Sequence, residues 1–213
     1  MGGLLRHIFF LVIVRPIVLI ILGLNVRHRE RLPHAGPGIV VANHNSHLDT
    51  LVLMTLFPMR LLPRLRPVAA MDYFLRSRPL AWFSINIMGI IPVRRGRGAG
   101  HEDPLAGCST ALQQGDILIL FPEGSRGEPE RLAEFKTGIA HLAKRHPDIP
   151  IIPVFLHGLG KALPKGEAVL VPFFCDVFIG PAMHWTGDRH TFMNALETSM
   201  KILAEEGHVS PWE

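Results

Sequence analysis

The feature that most constrains the fold is the alternation of short apolar runs with helical stretches. Runs of strand length occupy residues 38–43, 68–71, 87–93, 116–121, 151–155 and 168–179, and helical patterns occupy residues 47–57, 73–85, 103–115, 130–145 and 189–206. Short runs that are almost wholly apolar are typical of strands covered on both faces, as parallel strands are. The pattern therefore predicts an α/β fold with a largely parallel sheet covered by helices.

The N-terminal stretch from Ile8 to Val26 is the most apolar part of the chain, with 15 of its 19 residues strongly apolar. Insertion into the middle of a membrane gains roughly 0.3–0.6 kcal/mol of free energy for each apolar residue and costs about 2.5–3.5 kcal/mol for Arg15. The summed free energy of the stretch therefore favours insertion into lipid. Pro16 is expected to kink or split the helix. The stretch is then a tilted span or two short helices in one leaflet, and the alternative is a buried core helix.

Charge is divided unequally along the chain. Residues 1–100 carry 13 arginines and three acids, a net charge of +10, whereas residues 101–213 have a net charge of −6. Basic charge beside an apolar stretch favours an anionic membrane surface over nucleic acid as the partner. Arg27, Arg29 and Arg31 follow the stretch directly, which predicts that the rest of the chain lies on the cytoplasmic face of the inner (plasma) membrane. Residues 1–31 are thus predicted to be an N-terminal membrane anchor with a basic flank.

Cysteines and histidines give little indication of a metal or disulfide site. Cys108 and Cys175 lie far apart without a CxxC partner, and the twelve histidines form no HExxH pattern. We therefore expect a reducing compartment and no metal site.

The first candidate site is the segment NHNSHLD at residues 43–49, which follows an apolar run at once. His44 is expected in the turn and Asp49 in the first turn of the next helix. The carboxylate could then bind one imidazole nitrogen and leave the other to take a proton from a substrate hydroxyl. The alternative is that Asp49 only caps the helix, because Ser46 and Asp49 fit the [ST]-x-x-[DE] pattern. His47 is interpreted as a surface or supporting residue.

The second candidate site is the segment FPEGSRG at residues 121–127, again directly after an apolar run. Gly124 and Gly127 permit tight turns with N–H groups that face a ligand. Arg126 offers a planar fork suited to phosphate, and Glu123 could orient a polar headgroup. The alternative is an ordinary turn with a surface arginine.

A third segment, GIIPVRRGR at residues 89–97, brings Arg94, Arg95 and Arg97 to the end of another predicted strand. It suits an anion cradle or, alternatively, a solvated basic loop. Lys136 lies off the apolar stripe of its predicted helix, which suits solvent or an anion. In a parallel sheet, the ends of these strands share one edge. A base beside a phosphate clamp and a lipid anchor indicates that the substrate is a phosphate-bearing lipid alcohol.

The motifs together resemble those of the glycerolipid acyltransferases, the family of 1-acylglycerol-3-phosphate acyltransferase (PlsC-like). NHNSHLD resembles the family's NHxxxxD motif and FPEGSRG matches its FPEG(S/T)R block, while GIIPVRR and IIPV at residues 151–154 resemble its acceptor and late proline blocks. The four occur in the family's order across roughly residues 39–155.

The resemblance implies a mixed sheet flanked by helices, a fold like that of glycerol-3-phosphate acyltransferase, with residues 32–213 as the acyltransferase domain. It implies that His44 is the general base and Asp49 its orienting partner. The acceptor would be held by a set of polar residues: Glu123, Gly124, Ser125, Arg126, Arg94, Arg95 and Lys136. The acyl donor would be the thioester of coenzyme A or acyl carrier protein, as a co-substrate, with no metal and no tightly held cofactor.

The expected function is acylation of the free hydroxyl of lysophosphatidate, giving phosphatidate. Pro92 and Arg94 depart from the family's acceptor block, so another lysophospholipid or a glycerol phosphate remains an alternative acceptor. A thioester or ester hydrolase and a lipid-binding protein without catalysis are further alternatives.

Overall fold

The computed structural model describes residues 2–46, 48–74, 77–94, 103–125, 127, 132–162 and 174–207. The strands are β1 (Gly23–Arg27), β2 (Gly38–Ala42), β3 (Leu65–Ala70), β4 (Ile91–Val93), β5 (Ile117–Leu120), β6 (Ile151–His157) and β7 (Phe174–Ile179). The helices are α1 (Gly2–Phe9), α2 (Leu48–Thr55), α3 (Met71–Phe74), α4 (Arg78–Phe83), α5 (Ala106–Gln113), α6 (Gly138–Arg145), α7 (Leu159–Ala162) and α8 (Arg189–Gly207).

One seven-stranded sheet, in the order β1-β7-β6-β2-β5-β3-β4, forms the centre of the molecule. Strands β6, β2, β5, β3 and β4 all run parallel to one another, whereas β7 runs antiparallel to β6 and is paired in parallel with β1. The sheet is therefore mixed and largely parallel, as predicted. The carboxyl ends of β2, β5 and β4, which precede the three candidate loops, lie at one edge.

Helices cover both faces of the sheet, because alternate side chains of the central strands point to opposite sides. In β2, Val40 and Ala42 belong to the core beneath the N-terminal segment and α2. Ile39 and Val41 belong to the core beneath α5, α6 and α8. This two-sided burial explains why the strands read as continuous apolar runs.

The N-terminal segment is one continuous helix, Gly2–Ile20, long and apolar enough to cross a membrane. It begins as α1 and continues through π-helical turns at Phe10–Val14 and Ile17–Ile21, so Pro16 does not split it. Its buried residues recur every four positions, at Arg6, Phe10, Val14 and Val18, and the buried Leu22, just beyond the end of the helix, continues the stripe. An α-helix of 3.6 residues per turn would rotate such a stripe by about 40° at each step, and the wider π-helical turns keep it on one face.

The other face of this helix is apolar and exposed, with large side chains at Leu4, Leu5, Ile8, Leu11, Val12, Ile13, Leu19 and Ile20. The helix is therefore neither a fully buried core helix nor a free segment: one face packs on the domain along its whole length. A helix of this kind is suited to membrane association.

Several residues of the predicted anchor and flank belong to the sheet domain. Gly23–Arg27 forms β1, whereas the sequence predicts residues 23–26 as the end of the apolar segment and Arg27 as part of its basic flank. Arg29 Nη2 donates to the carbonyl of Leu56 at 2.8 Å, and Arg31 Nη1 donates to that of Ile179 at 2.8 Å. These arginines tie the chain to the domain, and the boundary at residue 31 stays a prediction.

Some predicted boundaries differ from the structure. Pro79 opens α4 instead of interrupting a helix, since the Ser77 side chain accepts a hydrogen bond from the Leu80 N–H. A π-helical turn, Ser84–Met88, occupies part of the predicted strand 87–93, and the ladder with β3 begins only at Ile91. The predicted strand 168–179 is seen from Phe174 onward, and residues 168–173 lie outside the described residues.

Candidate active site

The loop between β2 and α2 forms the His–Asp pair anticipated from the sequence. His44 Nδ1 lies 2.9 Å from Asp49 Oδ2. The Asp49 side chain is fully buried, whereas that of His44 is 20% exposed. Because a carboxylate oxygen can only accept, Nδ1 carries the proton and the lone pair is on Nε2. The pair can therefore present a basic nitrogen while its carboxylate stays shielded from water.

Asp49 also serves the helix start. Its Oδ2 atom accepts the backbone N–H groups of Asn45 at 2.6 Å and Ser46 at 2.8 Å. The bond back to Ser46 is the one that a capping-box carboxylate makes. The two interpretations left open by the sequence thus coexist, because one oxygen receives the imidazole and two backbone donors.

Two asparagines, which the sequence analysis did not single out, hold this loop against β6. The side-chain amide of Asn43 donates to the Leu156 carbonyl at 2.9 Å and accepts the Leu156 N–H at 2.7 Å. Asn45 donates to the same carbonyl at 3.2 Å. Asn43 thereby extends the β2–β6 pairing by one step beyond the last paired strand residues, Ala42 and Val154. Its position next to His44 was the available signal.

The loop after β5 contacts the His44 loop directly. The Phe121 ring stacks on the His44 imidazole with centroids 4.2 Å apart and planes at 21°. The backbone N–H of His44 donates to Glu123 Oε1 at 3.3 Å, and the backbone N–H of Gly127 donates to the His44 carbonyl at 3.1 Å. Neighbouring strands thus bring the first two candidate segments together, and Phe121 fixes the ring plane of the histidine.

Glu123 is buried, with 4% of its surface exposed, and its Oε2 atom has no hydrogen-bond partner within the described part of the chain. Burial raises the pKa of the Glu123 carboxyl to about 7, although the hydrogen bond from the His44 N–H acts in the opposite direction. A buried carboxyl oxygen without a partner is costly unless a ligand group completes it. Glu123 is therefore suited to bind a polar group beside His44.

Lys136 lies over the turn that contains Gly124. That glycine has φ +73°, and a Cβ atom on it would lie 2.7 Å from Lys136 Nζ. The Lys136 N–H donates to the Pro122 carbonyl at 2.9 Å, so the chain crosses this loop in non-helical form. Within the described residues, the helix predicted over residues 130–145 begins only at Gly138, and residues 130 and 131 lie outside the described residues. The prediction was wrong for residues 132–137, because the loop contact outweighs the helical pattern.

The remaining candidates lie farther away or outside the described residues. Arg94 follows β4, three strands from β2, which at a strand spacing of about 4.8 Å corresponds to roughly 14 Å along the sheet. Ser125 lies in the loop after β5, directly before a residue that is not described. His47, Arg95, Arg97 and Arg126 lie outside the described residues. Within the described residues, no group of three or more His, Cys, Asp and Glu side chains could hold a metal ion.

A His–Asp pair in a loop at the carboxyl edge of a parallel sheet is typical of one class of site. In this class, the histidine activates an alcohol or a water molecule that attacks a carbonyl. The model of the Acyltransferase family matches residues 23–157, which include this whole site. The chain belongs to that family.

Curated relatives share this region. The chain is 29% identical over 145 residues to a chloroplastic 1-acyl-sn-glycerol-3-phosphate acyltransferase of Arabidopsis thaliana, covering 68% of this chain and 38% of that protein. It is 28% identical over 183 residues to 1-acyl-sn-glycerol-3-phosphate acyltransferase alpha of Mus musculus, covering 83% and 60%. The chain thus spans less than two thirds of the length of these relatives.

A solved structure supports the fold. The crystal structure of the 1-acyl-sn-glycerophosphate (LPA) acyltransferase PlsC from Thermotoga maritima superposes with a TM-score of 0.77 at 21% identity. The match covers 99% of this chain and 81% of that one. The mixed sheet with its N-terminal helix is therefore a known architecture.

Proposed function

We propose that the chain transfers a fatty acyl group from a thioester of coenzyme A or acyl carrier protein to the free hydroxyl of 1-acylglycerol 3-phosphate, giving phosphatidate for phospholipid biosynthesis. The observation that carries the proposal is the His44–Asp49 pair, which leaves the imidazole Nε2 as a base. Next to this histidine lies the buried carboxyl of Glu123, whose Oε2 atom has no hydrogen-bond partner within the described residues. The names of the relatives supply the substrate class.

In this reaction His44 Nε2 takes the proton of the acceptor hydroxyl as its oxygen attacks the thioester carbonyl. The tetrahedral intermediate then collapses, the carbon–sulfur bond breaks, and the imidazolium returns the proton to the leaving thiolate. Asp49 keeps the ring in the productive tautomer and stabilises its charged form. The thioester is a co-substrate, and the proposal requires no resident cofactor or metal.

Glu123 would place the acceptor through its unpaired oxygen, and Gly124 and Ser125 would shape the turn that carries it. Lys136, Arg94, Arg95 and Arg126 would hold the acceptor phosphate. The ammonium group of Lys136 lies over the Gly124 turn and suits this role. That turn follows β5, which is the neighbour of the strand that precedes His44, the proposed general base.

A donor-by-acceptor matrix tests the proposal. The purified chain, in vesicles, is given oleoyl-CoA or oleoyl carrier protein with lysophosphatidate, other lysophospholipids or glycerol 3-phosphate, and products are identified by mass spectrometry. We expect phosphatidate from lysophosphatidate and loss of turnover in a folded His44→Ala variant. Free fatty acid formed without regard to the acceptor would show a hydrolase, and lipid binding without transfer would contradict an enzymatic role.

We further propose that the N-terminal helix lies along the cytoplasmic face of the inner (plasma) membrane, with its exposed apolar face in lipid. Support comes from the stripe of buried residues from Arg6 to Leu22, which binds the helix to the domain lengthwise. A helix held in this way cannot cross the bilayer while the domain stays in water. Deletion of residues 1–26 would also remove most of β1, so substitutions on the exposed face are the cleaner test.

A further inference from the structure

Arg6 is a charged residue buried within the apolar N-terminal helix, with 5% of its surface exposed. Its guanidinium Nη2 donates to the Leu65 carbonyl at 2.8 Å and to the Met88 carbonyl at 3.2 Å. Leu65 is the first residue of β3, and Met88 ends the π-helical turn that leads into β4. One guanidinium therefore joins the helix to the start of β3 and to the turn that leads into the edge strand β4.

Gly89 makes room for this contact. It has φ +72°, and a Cβ atom at this position would lie 2.6 Å from Arg6 Nη1. The glycine thus serves both the left-handed turn and the close approach of the guanidinium. The first residue of the predicted acceptor block GIIPVRR is accordingly in contact with the N-terminal helix, far along the chain from Arg6.

Strand β4 is a short strand at the edge of the sheet. It is three residues long, its Ile91 packs in the core with Cys108 and Leu112 of α5, and within the described residues it is paired only with Val68–Ala70 of β3. This ladder does not extend back to Leu65, whose pairing partner is Ile117 on β5. Arg6 therefore joins the two segments ahead of Val68 and Ile91, where the backbone hydrogen bonds between β3 and β4 begin.

We propose that Arg6 is a positioning residue, whose guanidinium fixes the start of β4 and thereby the acceptor-binding arginine that follows this strand, Arg94. The inference rests on the proposed function, because that function assigns this arginine to the acceptor phosphate. It also couples the helix with the exposed apolar face to the acceptor side of the site. Loss of the guanidinium displaces β4 and Arg94 and leaves the His44–Asp49 pair, three strands away, in place.

Steady-state kinetics on the full chain test this inference. Lysophosphatidate and oleoyl-CoA are varied in turn, in vesicles of phosphatidylcholine and phosphatidylglycerol, for Arg6→Met, Arg6→Lys and Gly89→Ala. The matched control is Arg15→Met, since Arg15 lies on the same helix and donates to a different carbonyl, that of Phe57. We expect the KM for lysophosphatidate to rise about tenfold or more in Arg6→Met and Gly89→Ala, as a charged, buried donor is lost or displaced.

The KM for oleoyl-CoA and kcat are expected to change less than about threefold, and Arg15→Met to leave all three parameters near wild type. Arg6→Lys keeps the charge and one donor position, so it should restore part of the acceptor affinity. A folded Arg6→Met with an unchanged acceptor KM, or with kcat and both KM values altered alike, would overturn the inference. If Arg6→Met does not fold, the same comparison is made between Arg6→Lys and Arg15→Met.

A second measurement separates this inference from the proposed function. Hydrogen exchange at the amides of Ile91 and Val93 is expected to quicken in the Arg6 variants and not in Arg15→Met. Absence of acyl transfer by the wild type would refute the proposed function only. Unchanged exchange in a folded Arg6 variant would refute the inference that Arg6 fixes the start of β4.

Discussion

Replacement of Glu123 by glutamine should change how the stability of the protein depends on pH. Burial raises the pKa of the Glu123 carboxyl to about 7 from the reference value of 4.5. At about 1.4 kcal/mol for each pH unit, the difference corresponds to about 3 kcal/mol. Glutamine has nearly the same shape and can still accept the His44 N–H bond, so the substitution removes the titration and keeps the contact.

The sign follows from which state holds the proton more tightly. Between about pH 4.5 and pH 7 the unfolded chain has lost this proton while the folded protein keeps it, so the free energy of unfolding falls as pH rises. The contribution is complete below pH 4.5 and is lost once the folded carboxyl ionises. The free energy of unfolding of Glu123→Gln, less that of the wild type, should therefore increase by about 3 kcal/mol from pH 4.5 to pH 8.

Urea unfolding in detergent micelles, followed by tryptophan fluorescence at closely spaced pH values, measures this difference. The matched control is Glu205→Gln, which alters an exposed carboxylate on α8. The control should differ from the wild type by a nearly constant amount. A difference for Glu123→Gln that does not vary with pH would refute the reasoning that burial governs this carboxyl.

Other substitutions probe the rest of the site and the helix face proposed to contact the membrane. Asp49→Asn should lower kcat by about 10³-fold, because the imidazole loses the partner that sets its tautomer; turnover near wild type would contradict the dyad. Gly124→Ala should lower the free energy of unfolding in urea by about 1–2 kcal/mol, since φ is +73° and Lys136 fills the space, and an unchanged value would contradict this. Leu19→Asn with Ile20→Asn, at 63% and 81% exposure, should remove about 3 kcal/mol of lipid burial and weaken vesicle binding about a hundredfold in flotation assays; unchanged flotation would place the membrane contact elsewhere.

The central sheet could be predicted from the sequence because its strands are buried on both faces. Each of the runs GIVVA, ILIL and IIPVFLH lies in a central strand, and their parallel arrangement brings the polar loops to one edge, as the pattern required. Asp49 and His44 could be paired in advance because both lie within one strand-to-helix turn. Local spacing was sufficient wherever the partners are close in sequence.

Long-range contacts account for what the sequence did not predict. Strand β1 reads as the end of an apolar helix, and only its pairing with Phe174–Phe178 of β7 makes it a strand. Lys136 sits in a helical pattern, yet its N–H is taken by Pro122 on another loop. The bonds from Arg6 to Leu65 and Met88 span 59 and 82 positions. No local pattern carries such information, since each depends on where the sheet places another segment.

The position of Asp49 links the folding of this loop to the general-base role proposed for His44. Its Oδ2 atom lies within 2.9 Å of the imidazole nitrogen and of two backbone nitrogens, at Asn45 and Ser46. A glutamate there would extend the carboxylate by one methylene, so that it could not meet all three donors from the same backbone position. An asparagine keeps an acceptor for the backbone but not a charge for the imidazolium. The helix start therefore favours a short side chain at this position, the proposed proton transfer favours an acid, and aspartate has both properties.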